Sequence, residues 1–274
     1  MKLIEKLRQV QKENKAMLAT NFYNLETCRG ILQAASDLNQ PIILQLTPAS
    51  IEYMGLKTAI GIARTVSSEE KTESWIHLDH CNDLELIKLC LDEGFDSVMI
   101  DASDKTIDEN ISITKKVVEM ASGYNVNVEA ELGYVPVPIS EIDNDKFTEP
   151  EDAKRFVDET GVTSLAVAIG TKHGFYKGKP KLDINRLKKI REITDTYLVL
   201  HGGSGLPGEL LREAIKNGIS KVNVATETKD IFMKTLKEVL KNSDEIDLRK
   251  VFPFATGEVK KLIEQKLKIV AMMN

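Results

Sequence analysis

Eight short apolar or β-branched runs alternate with eight amphipathic segments along this chain, and the alternation predicts a (β/α)8 TIM barrel forming one domain over residues 1–274. Two further observations agree. A length of 274 residues is long for an ordinary domain but suits such a barrel. Gly94, Gly161 and Gly218 follow helical patterns just before strand patterns, where the chain stops winding and turns.

The runs read as strands are 17–21, 41–46, 74–79, 97–101, 126–131, 164–169, 197–201 and 220–223. Helical periodicity covers 25–38, 53–70, 84–93, 107–122, 150–160, 185–194, 207–217 and 227–241. An extra N-terminal helix over 3–14 precedes the first strand, and a C-terminal helix over 259–269 lies beyond the barrel. The long stretch 133–147 shows neither pattern. It holds Pro136 and Pro138, then Glu141, Asp143 and Asp145; connections of this length often serve as active-site lids.

Composition narrows the class. A net charge of −5 with 42% hydrophobic and 29% charged residues describes a globular protein without a nucleic-acid footprint. No apolar run approaches the ~20 residues of a spanning helix. The opening MKLIEKLRQVQKENK lacks the apolar core of a secretory signal. Cys28, Cys81 and Cys90 form no CxxC pair, which predicts reduced thiols and a cytoplasmic location. No membrane or nucleic-acid partner is expected.

Barrel enzymes carry their chemistry at the C-terminal ends of the strands. Those ends hold Asn21, Gln45, Asp79 with His80, Asp101 with Ser103, Glu131, His173, His201, and Asn223 with Thr226. Only four histidines occur in the chain, and three fall at or just past different strand ends. Singly, each is more simply a packed residue. Together they favour a metal, because three protein ligands with one open position describe a catalytic zinc site. His77 shares the face of Asp79 but lies deeper, and reads as an interior residue or a support behind a ligand. Cys81 reads as a small residue in a tight turn.

HGGSGLP at 201–207 and NVATET at 223–228 follow the seventh and eighth strand patterns and open helices. Glycine lets backbone approach an oxyanion, and helix N-termini offer free N–H groups. Barrels commonly bind phosphate on these two loops. The pattern predicts a divalent metal beside a phosphorylated small molecule.

Seven motifs then stand in order: NxxNLE at 21–26, HLDH at 77–80, SVMIDAS at 97–103, VEAELG at 128–133, LAVAIGTKHGFY at 165–176, LVLHGGSGLP at 198–207 and KVNVATE at 221–227. Over nearly its whole length the chain resembles the class II, zinc-dependent ketose-bisphosphate aldolases, which act on fructose or tagatose 1,6-bisphosphate. The resemblance implies reversible cleavage to dihydroxyacetone phosphate and an aldehyde such as glyceraldehyde 3-phosphate, by a homodimer or homotetramer. It implies that His80, His173 and His201 hold Zn2+ and that Asp79 is the acid/base at the C4 hydroxyl. Asp101 and Glu131 match contacts to a second metal position. Asn21, Gly174, Gly202, Gly203, Ser204, Asn223, Val224, Ala225 and Thr226 match substrate-binding positions, with a monovalent cation, Na+ or K+, at the phosphate. An acid on the loop after the fifth strand exchanges a proton with the enediolate; Glu141 takes this role here, with Asp143 its rival.

The chain departs from the family in GYVPVPISEIDND at 133–145, where relatives carry a glycine-rich acidic loop, and in a KLKIVAMMN tail without the arginine common in relatives. Ala225 resembles the tagatose branch. Two alternatives stay open: an aldolase for a non-standard phosphorylated ketose, and a non-catalytic sugar-phosphate-binding subunit. An imine-forming Lys172 would leave three strand-end histidines unexplained, so a loop lysine facing solvent or phosphate is the simpler account.

Overall fold

The computed structural model describes residues 1–135 and 147–273. The chain runs α1 (Leu3–Lys12), β1 (Met17–Asn21), α2 (Leu25–Asp37), β2 (Ile42–Leu46), α3 (Pro48–Met54), α4 (Leu56–Glu69), β3 (Ser74–Cys81), α5 (Leu84–Asp92), β4 (Ser97–Ile100) and α6 (Ile107–Ala121). It continues as β5 (Asn127–Leu132), α7 (Pro150–Thr160), β6 (Ser164–Val167), α8 (Ile184–Ile193), β7 (Tyr197–Leu200), α9 (Gly208–Lys216), β8 (Ile219–Val224), α10 (Thr226–Lys241) and α11 (Leu248–Val270). The strands pair in parallel in sequence order, and β8 closes onto β1. The predicted (β/α)8 barrel with extra terminal helices is the fold observed.

Local chemistry sets the helix starts. Asn24, Asp83 and Thr106 accept hydrogen bonds from first-turn N–H groups, and Thr106 with Glu109 completes a capping box. The helical pattern over 53–70 resolves differently from expectation. Gly55, at φ +81°, separates α3 from α4, and Pro48 fits the first turn of α3. The closing helix begins at Leu248, well before 259, and packs on α2. A side chain at Gly30 would strike the Thr256 carbonyl, so glycine permits this close approach.

Strand alternation divides the core. Outward residues such as Leu18, Ile42, Ile76, Leu78, Val98 and Leu198 meet the helices in the main apolar layer. Inward residues stack in tiers. Met17, Ala19, Ile43 and Trp75 line the lower end, where Leu3, Leu7 and Val10 of α1 cover them. Their spacing places all three on one helical face, and burying each contributes about 1.5–3 kcal/mol. The middle and upper tiers are polar. No helix among the described residues is long and apolar enough to cross a membrane.

Candidate active site

The middle tier is a buried polar network. Lys221 on β8 donates to both oxygens of Glu129 on β5, at 2.9 and 2.7 Å, and lies 3.2 Å from His77 Nε2. His77 Nδ1 contacts Ser97 Oγ at 2.7 Å, and Ser97 accepts from the Asn127 amide. Burial, and then the Lys221 charge, push His77 down to about 3, so its imidazole is neutral. Burial would raise Glu129, but Lys221, His77 and His201 outweigh it and hold this carboxyl well below the usual range. The ion pair is fully enclosed, and its partners satisfy the charges that burial would otherwise leave uncompensated.

Above it lies the upper tier. His201 follows β7 and is completely buried. Its Nε2 is 3.0 Å from Glu129 Oε1, which leaves Nδ1 facing the barrel mouth. Nδ1 approaches Glu131 Oε2 at 2.8 Å without hydrogen-bond geometry, so both atoms are buried without a hydrogen-bond partner. Burial alone would push His201 down. Glu129 on one nitrogen and the Glu131 charge beside the other outweigh it and raise the ring to about 10.

His80 reaches the same place by another route. Period two would aim Asp79 inward and His80 outward. Instead Leu78 pairs with Val98 and Cys81 with Ile100, so β3 carries an extra residue, and His80 has φ +49°. This bulge and left-handed backbone turn both side chains to the mouth. His80 Nδ1 lies 2.7 Å from Asp101 Oδ2, while Asp101 Oδ1 accepts from the Ser103 N–H and hydroxyl. The Asp79 charge and the Asp101 bond raise the His80 pKa against the downward pull of burial.

His173 completes the group from the β6–α8 connection. Burial, with the neighbouring His80 and His201 charges, lowers its pKa to about 4. The His80 ring centroid is 4.9 Å from that of His173 and 4.6 Å from that of His201. One nitrogen from each of the three histidines lies within 4.8 Å of the others, and His80, Asp101 and Glu131 form a second such set. Three imidazoles and an orphaned buried Nδ1 suit a tetrahedral cation with one open position, the donor set of catalytic zinc.

Asp79 stands beside this set. Asn21 donates to Oδ2 and Asn223 to Oδ1, each at 3.2 Å. Burial raises the Asp79 pKa, but His80, His201, His77 and Lys221 outweigh it, so the carboxyl sits below its ordinary value and is ionised. The remaining oxygens of Asn21 and Asn223, and the whole Gln45 amide, are buried without partners. Unsatisfied polar atoms thus ring the mouth, as in a site built for a polar ligand.

The two loops with the phosphate pattern interlock. A Cβ on Gly203 would lie 2.7 Å from the Asn223 carbonyl, and one on Gly202, at φ +68°, would collide with the Lys172 carbonyl. Ser204 Oγ accepts from the Ala225 and Glu227 N–H groups at the start of α10. Val224 ends β8, and Thr226 begins α10. Gly174, at φ +81°, follows His173 directly. Glu141 and Asp143 lie outside the described residues.

Sequence reasoning missed Glu129 and Lys221. Each stands two residues before a flagged position, Glu131 or Asn223, and alternation alone puts it on the same inward face. It also missed Tyr176, whose hydroxyl accepts from the Lys172 N–H at 3.1 Å and donates to the Gly202 carbonyl at 2.9 Å.

Known proteins share this arrangement of chain. The fold matches that of the YdjI aldolase from Escherichia coli K12 with a TM-score of 0.88 at 28% identity, covering 98% of this chain and 96% of that one. It matches the fold of fructose-bisphosphate aldolase from Campylobacter jejuni with a TM-score of 0.85 at 22% identity, over 99% and 95%. The family described as fructose-bisphosphate aldolase class-II matches residues 1–274. From the first strand to the closing helix, the chain belongs to the class II fructose-bisphosphate aldolase family.

Proposed function

We propose that the protein is a zinc-dependent lyase that cleaves a ketose 1,6-bisphosphate of the fructose or tagatose type reversibly into dihydroxyacetone phosphate and an aldehyde such as glyceraldehyde 3-phosphate. The observation that carries this reading is an ionised carboxylate, Asp79, held by two amides beside three converging imidazoles. Zinc held by His80, His173 and His201 would supply Lewis-acid stabilisation of the charge that develops on the carbonyl oxygen.

The chain's own groups account for the rest. Asp79 takes the C4 hydroxyl proton as the C3–C4 bond breaks, and returns it in the condensation direction. Asn21 and Asn223 hold its two oxygens and keep it from drifting toward the imidazoles. Gly202, Gly203, Ser204 and the residues from Asn223 to Thr226 seat the phosphate of the dihydroxyacetone half, with Na+ or K+ beside it. Gly174 leaves room for that half next to His173. Glu141 exchanges a proton with the enediolate carbon. Asp101 and Glu131 serve a second metal position next to His80.

A phosphorylated ketose outside the fructose and tagatose pair is the second reading. The stretch GYVPVPISEIDND at 133–145 favours it, because it stands where the family carries a glycine-rich acidic loop. We also propose a cytoplasmic homo-oligomer; three buried, unpaired cysteines support the reducing compartment. The test is a panel of ketose phosphates given to zinc-loaded protein, with dihydroxyacetone phosphate release followed. Release from a 1,6-bisphosphate supports the first reading, and release only from another ketose supports the second. Tight phosphate binding with no turnover on any member favours the non-catalytic subunit.

A further inference from the structure

We infer that Lys172 supplies the cationic contact to the ligand phosphate on the β7 and β8 loops, and so sets the preference for a phosphorylated over an unphosphorylated ketone half. The inference takes its ligand class from the aldolase reading, but its phosphate contact is measurable without turnover.

Three lysines are buried among the described residues: Lys172, Lys221 and Lys266. Lysine is rarely buried without a partner. Two of the three have one. Lys221 pairs with Glu129 at 2.7 Å, and Lys266 with Glu227 at 2.8 Å. Lys172 is 8% exposed, yet no carboxylate among the described residues lies within 4.0 Å of its ammonium. Its ammonium lies over an aromatic face, the Tyr176 ring, at 5.7 Å from Nζ to the centroid. That is a weaker partner for an ammonium than an anion is.

Tyr176 fixes where the ammonium sits. Its hydroxyl is tied between the Lys172 N–H and the Gly202 carbonyl. A Cβ on Gly205 would lie 3.5 Å from the edge of its ring. The ammonium over this ring therefore stands alongside the Gly202–Gly205 turn. Glu227, the acid bonded to that turn, is already engaged, since it accepts from the Gly205 N–H at 2.9 Å and pairs with Lys266. Next to Lys172, the Thr171 hydroxyl is buried without a partner. A buried cation without an anionic partner among the described residues thus borders a glycine turn at the start of α10, and a phosphate dianion supplies the partner it lacks.

The variant Lys172→Met keeps the aliphatic stem and removes the charge. Calorimetry with inorganic phosphate and with dihydroxyacetone phosphate should show affinity weakened by about ten- to a hundredfold, the range for a charged hydrogen bond. Affinity for unphosphorylated dihydroxyacetone and bound zinc per chain should not change. In turnover, KM should rise by a similar factor with a much smaller change in kcat. Lys172→Arg should recover most of the phosphate affinity. If Lys172→Met does not fold, Lys172→Gln carries the same expectations. Unchanged phosphate affinity in a folded, charge-free variant would overturn the inference, as would wild-type protein that binds neither phosphate probe. Lysine-dependent phosphate binding in a protein that cleaves no ketose would sink the aldolase reading and leave this contact standing.

Discussion

His80 Nδ1 lies 2.7 Å from Asp101 Oδ2, and this contact decides which nitrogen of His80 faces the other two imidazoles. Asp101 is itself held by Ser103, so the ring is braced from behind. Removing such a brace typically weakens a metal site 10- to 100-fold. We expect Asp101→Ala to lower zinc affinity by about that factor, read by competition against a coloured chelator. Unchanged affinity would free Asp101 from this positioning role.

Asp79→Ala should leave zinc in place, because neither Asp79 oxygen is needed to hold the histidines. Its kcat should fall by about 10²–10⁴, the range for a lost acid/base group. Metal content and initial rates measured on one preparation check both halves. Wild-type turnover would remove Asp79 from the reaction.

His201→Ala should behave oppositely and lose metal and activity together. Glu129, which braces His201 Nε2, adds a stability prediction through Lys221. Lys221→Met strands a fully buried carboxylate, and breaking such a pair destabilises by about 3–5 kcal/mol. The double variant Lys221→Met with Glu129→Gln should lose less than the two single losses added together. Urea unfolding of all four proteins measures the cycle, and strict additivity would show that the pair is not a unit.

Gly203→Ala probes the phosphate cradle without touching a charged group. The new methyl would press on the Asn223 carbonyl and on Val222 Cγ1, at 2.7 and 2.9 Å, and push the two loops apart. KM for a phosphorylated substrate should rise at least about tenfold, since a misplacement near 1 Å can cost two orders of magnitude. Zinc content should hold. A KM equal to wild type would mean that the loops do not grip the phosphate.

Much of this was legible from period two. Asn21, Glu131 and Asn223 end inward-facing rows, and their placement at the mouth follows from the strand pattern. His80 was legible only as a residue type. Its direction depends on an extra residue in β3 and a positive φ, neither of which alternation encodes. Glu129 and Lys221 obey the same alternation, but a lone buried charge is improbable, and each becomes credible only when the other is known to face it across the barrel. The break at Gly55 was hidden because one glycine in a helical pattern is usually tolerated. The 133–147 connection has no periodicity to read.

The central claim is that cleavage depends on a metal held by three histidines, with Asp79 as the proton acceptor. The most direct measurement strips the metal with a chelator and titrates zinc back while ketose-bisphosphate cleavage is followed. Activity should vanish with the metal and return in proportion to zinc, reaching its plateau near one equivalent per chain. Full cleavage by metal-free protein, with substrate trapped on Lys172 by borohydride, would contradict the account.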